Sequence, residues 1–195
     1  MSLAERLRHE TRALHEETEQ LLYTEPLRSG TLAPEQYTHL MQIHGLFHHA
    51  LETAIDRHPV FFEGYQPDER RKSAWLATDL AALDASLPDL RPDLFADWSP
   101  VELLGAAYVG EGSMLGGKVV FHHLQKSPAL QPLLQNARFY RGYGPGMMDK
   151  WKAFGVLLAA RPEAEHDTVV EAAKWTFRTY QKLFRLTLTE KPAVG

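Results

Sequence analysis

Ten histidines and no cysteine define the chemistry open to this 195-residue chain. Without thiols there are no disulfides, no thiolate metal sites and no cysteine nucleophile, a pattern that fits a cytoplasmic protein. Metal chemistry would run through histidine and carboxylate. His15 stands out because it falls one residue after Leu14, at the edge of an apolar stripe, with Glu19 four residues later on the same helix face. A metal-binding histidine usually gives its second ring N–H to a carboxylate or carbonyl, which fixes its tautomer. The His15–Glu19 spacing suits that role, and equally suits a half-buried histidine satisfied by a helix neighbour. Arg8 lies seven residues before His15, two turns away on the same face. His44 and His48 are four apart with His49 adjoining, and read as the polar edge of a helix; His122 and His123 are adjacent. No His-Glu-x-x-His motif occurs. The single Glu-x-x-His, Glu163 to His166, follows Pro162 at a helix start, so the pair of motifs that a carboxylate-bridged di-iron bundle requires is missing. Phosphate loops, dinucleotide fingerprints and nucleophile elbows are absent too.

The second unusual stretch is Tyr108-Val109-Gly110-Glu111-Gly112-Ser113-Met114-Leu115-Gly116-Gly117. It lies inside a helical pattern, where each glycine costs roughly 1 kcal/mol relative to alanine. At about 100° per residue, Gly112 and Gly116 fall about 40° apart, with Ser113 about 100° and Gly117 about 140° from Gly112. One broad face therefore carries almost no side chain. Two readings are open: a small-residue seam for tight helix packing, or a face that something flat and bulky approaches closely. Lys150, Lys152 and Arg178 matter if that ligand is anionic; singly, each reads as a solvated charge.

These residues sit on a regular series of helices. A capping box at Ser2 and Glu5 opens a helix to about Tyr23. Pro34 opens the next, to about Arg57, with Tyr37, Leu40, Met41, His44, Phe47, Leu51 and Ile55 on its apolar face. Further helices are expected over Asp68–Ser86, over Ser99 or Pro100 to Leu124, over Ser127–Asn136, over Met147–Ala160 and from Pro162 to Leu186. Pro88, Pro92 and Pro100 bracket one loop, and Phe139 to Gly146 forms an aromatic, glycine-rich one. No stretch alternates as a strand does. One all-α domain of about seven helices over residues 1–190 is expected, with 191–195 a disordered tail. The net charge of −4 argues against a general nucleic-acid surface. No apolar run reaches membrane-spanning length, and the charged N-terminus lacks a signal core.

Leu7 to His15 resembles the proximal segment of the bacterial biliverdin-producing haem oxygenases, and Tyr108 to Gly117 resembles their distal helix. Tyr143-Gly144 through Trp151 and Phe154, and Glu171 through Phe177, extend the similarity over nearly the whole chain. The resemblance implies haem as substrate and cofactor, held between two helices with His15 as iron ligand and Glu19 behind it. Gly112, Gly116 and Gly117 would let the distal helix lie against the macrocycle. Arg8 and Tyr108 match positions near the propionates, with Lys150, Lys152 and Arg178 as weaker candidates, and Phe177 matches an aromatic beside the pocket. Ser113 stands where many members carry an aspartate that organises distal water, and serine brings hydrogen bonding without charge. The implied reaction opens haem to biliverdin, CO and ferrous iron with O₂. The helices fill the chain, so a separate reductase or ferredoxin would supply electrons, and a biliverdin-accepting protein is a further implied partner. A haem carrier or sensor on the same fold is the alternative.

Overall fold

The computed structural model describes residues 1–89, 94–135 and 137–189; the expected tail lies outside them. Among the described residues there are eight α-helices and no strand. The Ser2–Glu5 capping box forms as expected: the Ser2 N–H donates to Glu5 Oε2 at 2.7 Å and the Glu5 N–H to Ser2 Oγ at 3.3 Å. The expected single first helix is two, α1 (Leu3–Glu10) and α2 (Arg12–Leu21). They meet at Thr11, whose hydroxyl donates to the Leu7 carbonyl at 2.7 Å. Such back-bonding competes for the helix acceptor and bends the axis. Beyond α2, Tyr23 takes a left-handed conformation (φ 58°) and turns the chain into α3 (Thr24–Ser29), a stretch expected to be loop.

Helix α4 (Pro34–Ile55) matches its expected span. The next is shorter than expected: Pro67–Arg70 is a 3₁₀ turn, Arg71 is extended, and α5 covers only Ser73–Ala81. Helix α6 (Pro100–Leu124) starts at a second capping box, Ser99 with Glu102. The expected helix from Ser127 is instead a succession of turns, because Pro132 removes an N–H from its middle; its expected end, Asn136, lies outside the described residues. Helices α7 (Met147–Ala159) and α8 (His166–Thr189) close the bundle, α8 after a 3₁₀ turn at Glu163–Glu165.

The core forms two apolar clusters. One gathers Leu3 and Leu7 of α1, Phe47 and Leu51 of α4, Leu103 and Leu104 of α6, and Phe177 and Tyr180 of α8. The other joins the start of α4 to α5, Leu124, Leu130, Leu134 and Phe139. Helices α6 and α8 run along each other, and α2 also lies on α8. Gly105 makes the α6–α8 approach possible, since a Cβ there would sit 2.4 Å from the Val169 carbonyl oxygen. No helix among the described residues is long and apolar enough to cross a membrane.

Candidate functional site

His15 sits on the outer side of α2. Its side chain is 52% exposed, and its ring meets the edge of buried Phe177 from α8 at 5.7 Å between centroids. Nε2 faces Glu19 Oε1 at 3.5 Å, which is electrostatic contact rather than a tight hydrogen bond. Nδ1 has no hydrogen-bond partner among the described residues, so one ring nitrogen is available to a ligand. The His15–Glu19 pairing expected from the spacing thus exists, loosely.

The glycine stretch of α6 divides cleanly. A Cβ placed on Gly112 or on Gly116 meets nothing within 4 Å. Gly116 is exposed and Gly112 partly so. Gly117 behaves differently: it is buried, and a Cβ there would lie 3.1 Å from the Tyr140 carbonyl oxygen. Gly117 therefore belongs to the packing side with Gly105, apart from the open pair. Of the two readings of this stretch, the open face describes Gly112 and Gly116, and the seam describes Gly105 and Gly117. Ser113 is part-buried, and its hydroxyl donates to the Gly110 carbonyl at 2.8 Å. Its proton is committed to the helix, and its lone pairs remain as acceptors.

The cations separate likewise. Arg8 is exposed and close enough to Tyr108 to act on its hydroxyl, which Thr11 also contacts; burial outweighs both and pushes the Tyr108 hydroxyl above its ordinary value. The Tyr108 ring lies 6.1 Å from Trp151 of α7. This puts Arg8, Thr11, Tyr108 and Trp151 together where α1, α6 and α7 meet. Lys150 is not in that group, because its ammonium pairs with Glu69. Lys152 and Arg178 are exposed, with no ion-pair partner among the described residues.

Of the α4 histidines, His44 is buried, as its place on the apolar face predicted, while His48 does not lie on the polar edge expected of His44, His48 and His49. His44 and His48 are buried, and only His49 is exposed. His44 lies between the hydroxyls of Tyr180, 3.2 Å from Nδ1, and Tyr140, 3.1 Å from Nε2. Burial pulls its pKa down to about 4 and lowers that of His48 well below the ordinary value. No group of three acidic or histidine side chains among the described residues is placed to hold a metal ion. A cavity of about 10 Å³, room for about one water, lies between His48, Tyr65, Arg70, Lys72 and Gly110. A shallower concavity of about 300 Å³ lies by Trp98, Glu102 and Trp175. Neither includes His15, Gly112 or Gly116.

Sequence reading passed over Glu111. It is 2% exposed and bonded to Arg70, Lys72, Tyr65 and Tyr143. The available signal was a lone carboxylate amid glycines in the most apolar helix, a position that demands buried partners.

The profile of the Heme oxygenase family matches residues 1–186. Comparison with curated proteins finds no match. Among solved structures, the chain is similar to the NO- and CO-bound heme oxygenase of Neisseria meningitidis, at 20% identity and a TM-score of 0.79, covering 100% of this chain and 96% of that one. The heme oxygenase of Leptospira interrogans is 19% identical with a TM-score of 0.81, over 94% of this chain and 98% of its own. Heme oxygenase-1 of the cyanobacterium Synechocystis, in complex with heme, is 17% identical with a TM-score of 0.79, over 95% and 92%. With residues 1–186 of its 195 matched by one family, the chain belongs to the haem oxygenases and is an enzyme of haem degradation.

Proposed function

We propose that His15 ligates the iron of bound haem while Gly112 and Gly116 lie over the opposite face of the ring. One observation carries the reading: on a helix whose other glycines are packed, these two alone open on free space wide enough for side chains that are not there. The residues present fit the group: a face without side chains at Gly112 and Gly116 would admit a flat ring, and the solvent-accessible His15 imidazole offers a ligand. Haem supplies the oxygen-activating iron and is itself the carbon skeleton that is opened, to biliverdin, CO and iron.

The protein's contribution is holding and orientation. Glu19 restrains the His15 ring and favours the tautomer that leaves one nitrogen free for iron. With His15 as its protein ligand, haem would keep the capacity to bind and activate O₂. The lack of side chains at Gly112 and Gly116 would let the α6 backbone come close to the ring and limit the room beside it. Ser113, its proton held by the Gly110 carbonyl, accepts a hydrogen bond from water beside the ring. Arg8 and Tyr108 hold the propionates at the α1–α6–α7 junction, and Lys152 and Arg178 supply weaker positive potential. Phe177 backs the His15 ring. Electrons come from a separate reductase or ferredoxin, and the product passes to a biliverdin-accepting protein.

The test is turnover. Purified protein with haem, reductant and O₂ should lose the haem band, gain a biliverdin band and release CO. A stable oxygenated complex without biliverdin would indicate a carrier or sensor instead.

A further inference from the structure

Four side chains from two stretches of chain, residues 65–72 and Tyr143, converge on one carboxylate inside α6. Glu111 Oε1 accepts from Lys72 Nζ at 2.7 Å and from the Tyr65 and Tyr143 hydroxyls, each at 2.9 Å. Oε2 accepts from Arg70 Nη1 at 2.8 Å. Lys72 Nζ also donates to the Arg70 carbonyl and the Tyr143 hydroxyl, both at 2.8 Å. Burial lowers the Lys72 pKa from its ordinary value, against the opposing pull of the Glu111 carboxylate. Arg70 is committed on every side: Nε donates to the Tyr65 carbonyl at 2.6 Å and Nη2 to the Lys150 carbonyl at 2.9 Å. Burial pushes the Glu111 carboxyl up, but Lys72 and Arg70 outweigh it and hold it below its ordinary value.

A buried ion cluster is a poor source of stability, because apolar residues of similar volume do as well or better. What it supplies is direction. Charge-assisted hydrogen bonds from several directions fix a group to a narrow range of positions. The site of this clamp is the softest point of α6, with Gly110 before Glu111 and Gly112 after it. Glu111 points about 100° from Gly112 and about 140° from Gly116 around the helix. The clamp therefore grips α6 from behind its open face. Through the Lys150 carbonyl it also reaches α7, whose next residue, Trp151, touches Tyr108.

We infer that Glu111 is a positioning residue, held by Arg70, Lys72, Tyr65 and Tyr143 so that the Gly112–Gly116 face keeps one height and tilt over bound haem. The inference rests on the reading that this face meets the ring. It assigns to the clamp the orientation in which the ring is presented, and hence which bridge carbon is opened.

The test uses the full chain with four substitutions. Tyr143→Phe removes one donor without stranding a charge; Glu111→Gln removes the anion; Ser127→Ala removes a remote buried hydrogen bond, from Ser127 Oγ to the Leu32 carbonyl at 2.9 Å; Gly116→Leu fills the open face. Apo melting, haem affinity, the pH midpoint of the ferric haem's acid–alkaline transition and the biliverdin isomer distribution are measured for each. Tyr143→Phe should shift the midpoint by about half a unit, a threefold change in the equilibrium, and give mixed isomers. Ser127→Ala should lower apo melting at least as much and change neither. Should Glu111→Gln fail to fold, Tyr143→Phe decides alone. A wild-type midpoint and isomer in the clamp variants, with Gly116→Leu altered, would overturn the inference and leave the haem-facing reading intact. Wild-type haem affinity and spectrum in Gly116→Leu as well would remove that reading and the inference with it.

Discussion

Two glycines on one helix should respond to the same substitution with opposite signs. At Gly116 a methyl group enters free space, with no atom inside 4 Å. Glycine within a helix is disfavoured by about 0.5–1 kcal/mol relative to alanine, so Gly116→Ala should stabilise the haem-free protein by that amount. For a chain of this size 1 kcal/mol moves Tm by about 2–4 °C, and the expected rise is about 1–4 °C. At Gly105 the same methyl would lie 2.4 Å from the Val169 carbonyl oxygen and 2.7 Å from Ala172 Cβ. Backbone cannot give way as a side chain does, and overpacking of this kind costs about 1–3 kcal/mol, a fall of roughly 2–12 °C. Haem reverses the ranking at Gly116. A leucine there occupies the volume assigned to the ring, and haem affinity should drop tenfold or more, a loss above about 1.4 kcal/mol. The assay is a pair of melts without and with haem, a haem titration, and product analysis. Gly116→Ala that lowers apo Tm, or Gly116→Leu that binds haem like wild type and makes the same isomer at the same rate, would refute the open-face reading.

His15→Ala should abolish the histidine-ligated spectrum, with added imidazole restoring part of it, while Glu19→Gln should weaken affinity or activity by about 10–100-fold; an unchanged spectrum in His15→Ala would assign the ligand elsewhere. Ser113→Ala should slow conversion to biliverdin by about 2–10-fold, the worth of one hydrogen bond, and unchanged single-turnover kinetics would leave water placement to backbone groups alone. Stability should fall on acidification through His44: the unfolded chain takes up a proton below about pH 6.5 while the folded histidine stays neutral to about pH 4. The contribution is complete above pH 6.5 and is lost toward pH 4, about 3 kcal/mol in all. Urea midpoints across that range should decline less steeply in His44→Gln, and identical slopes would mean that His44 is not held neutral by the fold.

What could be read from the sequence depended on how far away the deciding partner lay. The start of α6 was legible because its signals are local, Ser99 and Pro100 in the sequence and a Ser99–Glu102 capping box in the structure. Spacing alone placed His15 and Glu19 on one face, yet the 3.5 Å gap depends on side-chain rotamers that spacing does not fix. The division of the glycines was invisible, because Val169 and the Tyr140 carbonyl, which separate Gly105 and Gly117 from the open pair, come from distant stretches. For the same reason His44 and His48 read as a polar edge. Tyr140 and Tyr180, which satisfy His44 inside the protein, lie about a hundred or more residues further on. The late start of α5 has a long-range cause too, since extended Arg71 breaks the helical path between Arg70 and Lys72, which both reach Glu111. Pro132 is the exception: a local signal against the helix expected from Ser127.

The two helices proposed to enclose the ring differ in how firmly each belongs to the body. Thr18 is the single buried residue of α2, and the segment runs between the Thr11 bend and the left-handed Tyr23. Helix α6 has Leu103, Leu104, Ala106, Ala107, Val109 and Met114 buried and is anchored through Glu111. Opening free energies follow buried apolar contact. Amide exchange in α2 should therefore proceed through small, frequent local openings, while the middle of α6 exchanges only when the whole protein unfolds. On the proposed placement of haem, the ring would have a fixed floor and a yielding cover, and ring binding should protect α2 amides far more than those of α6.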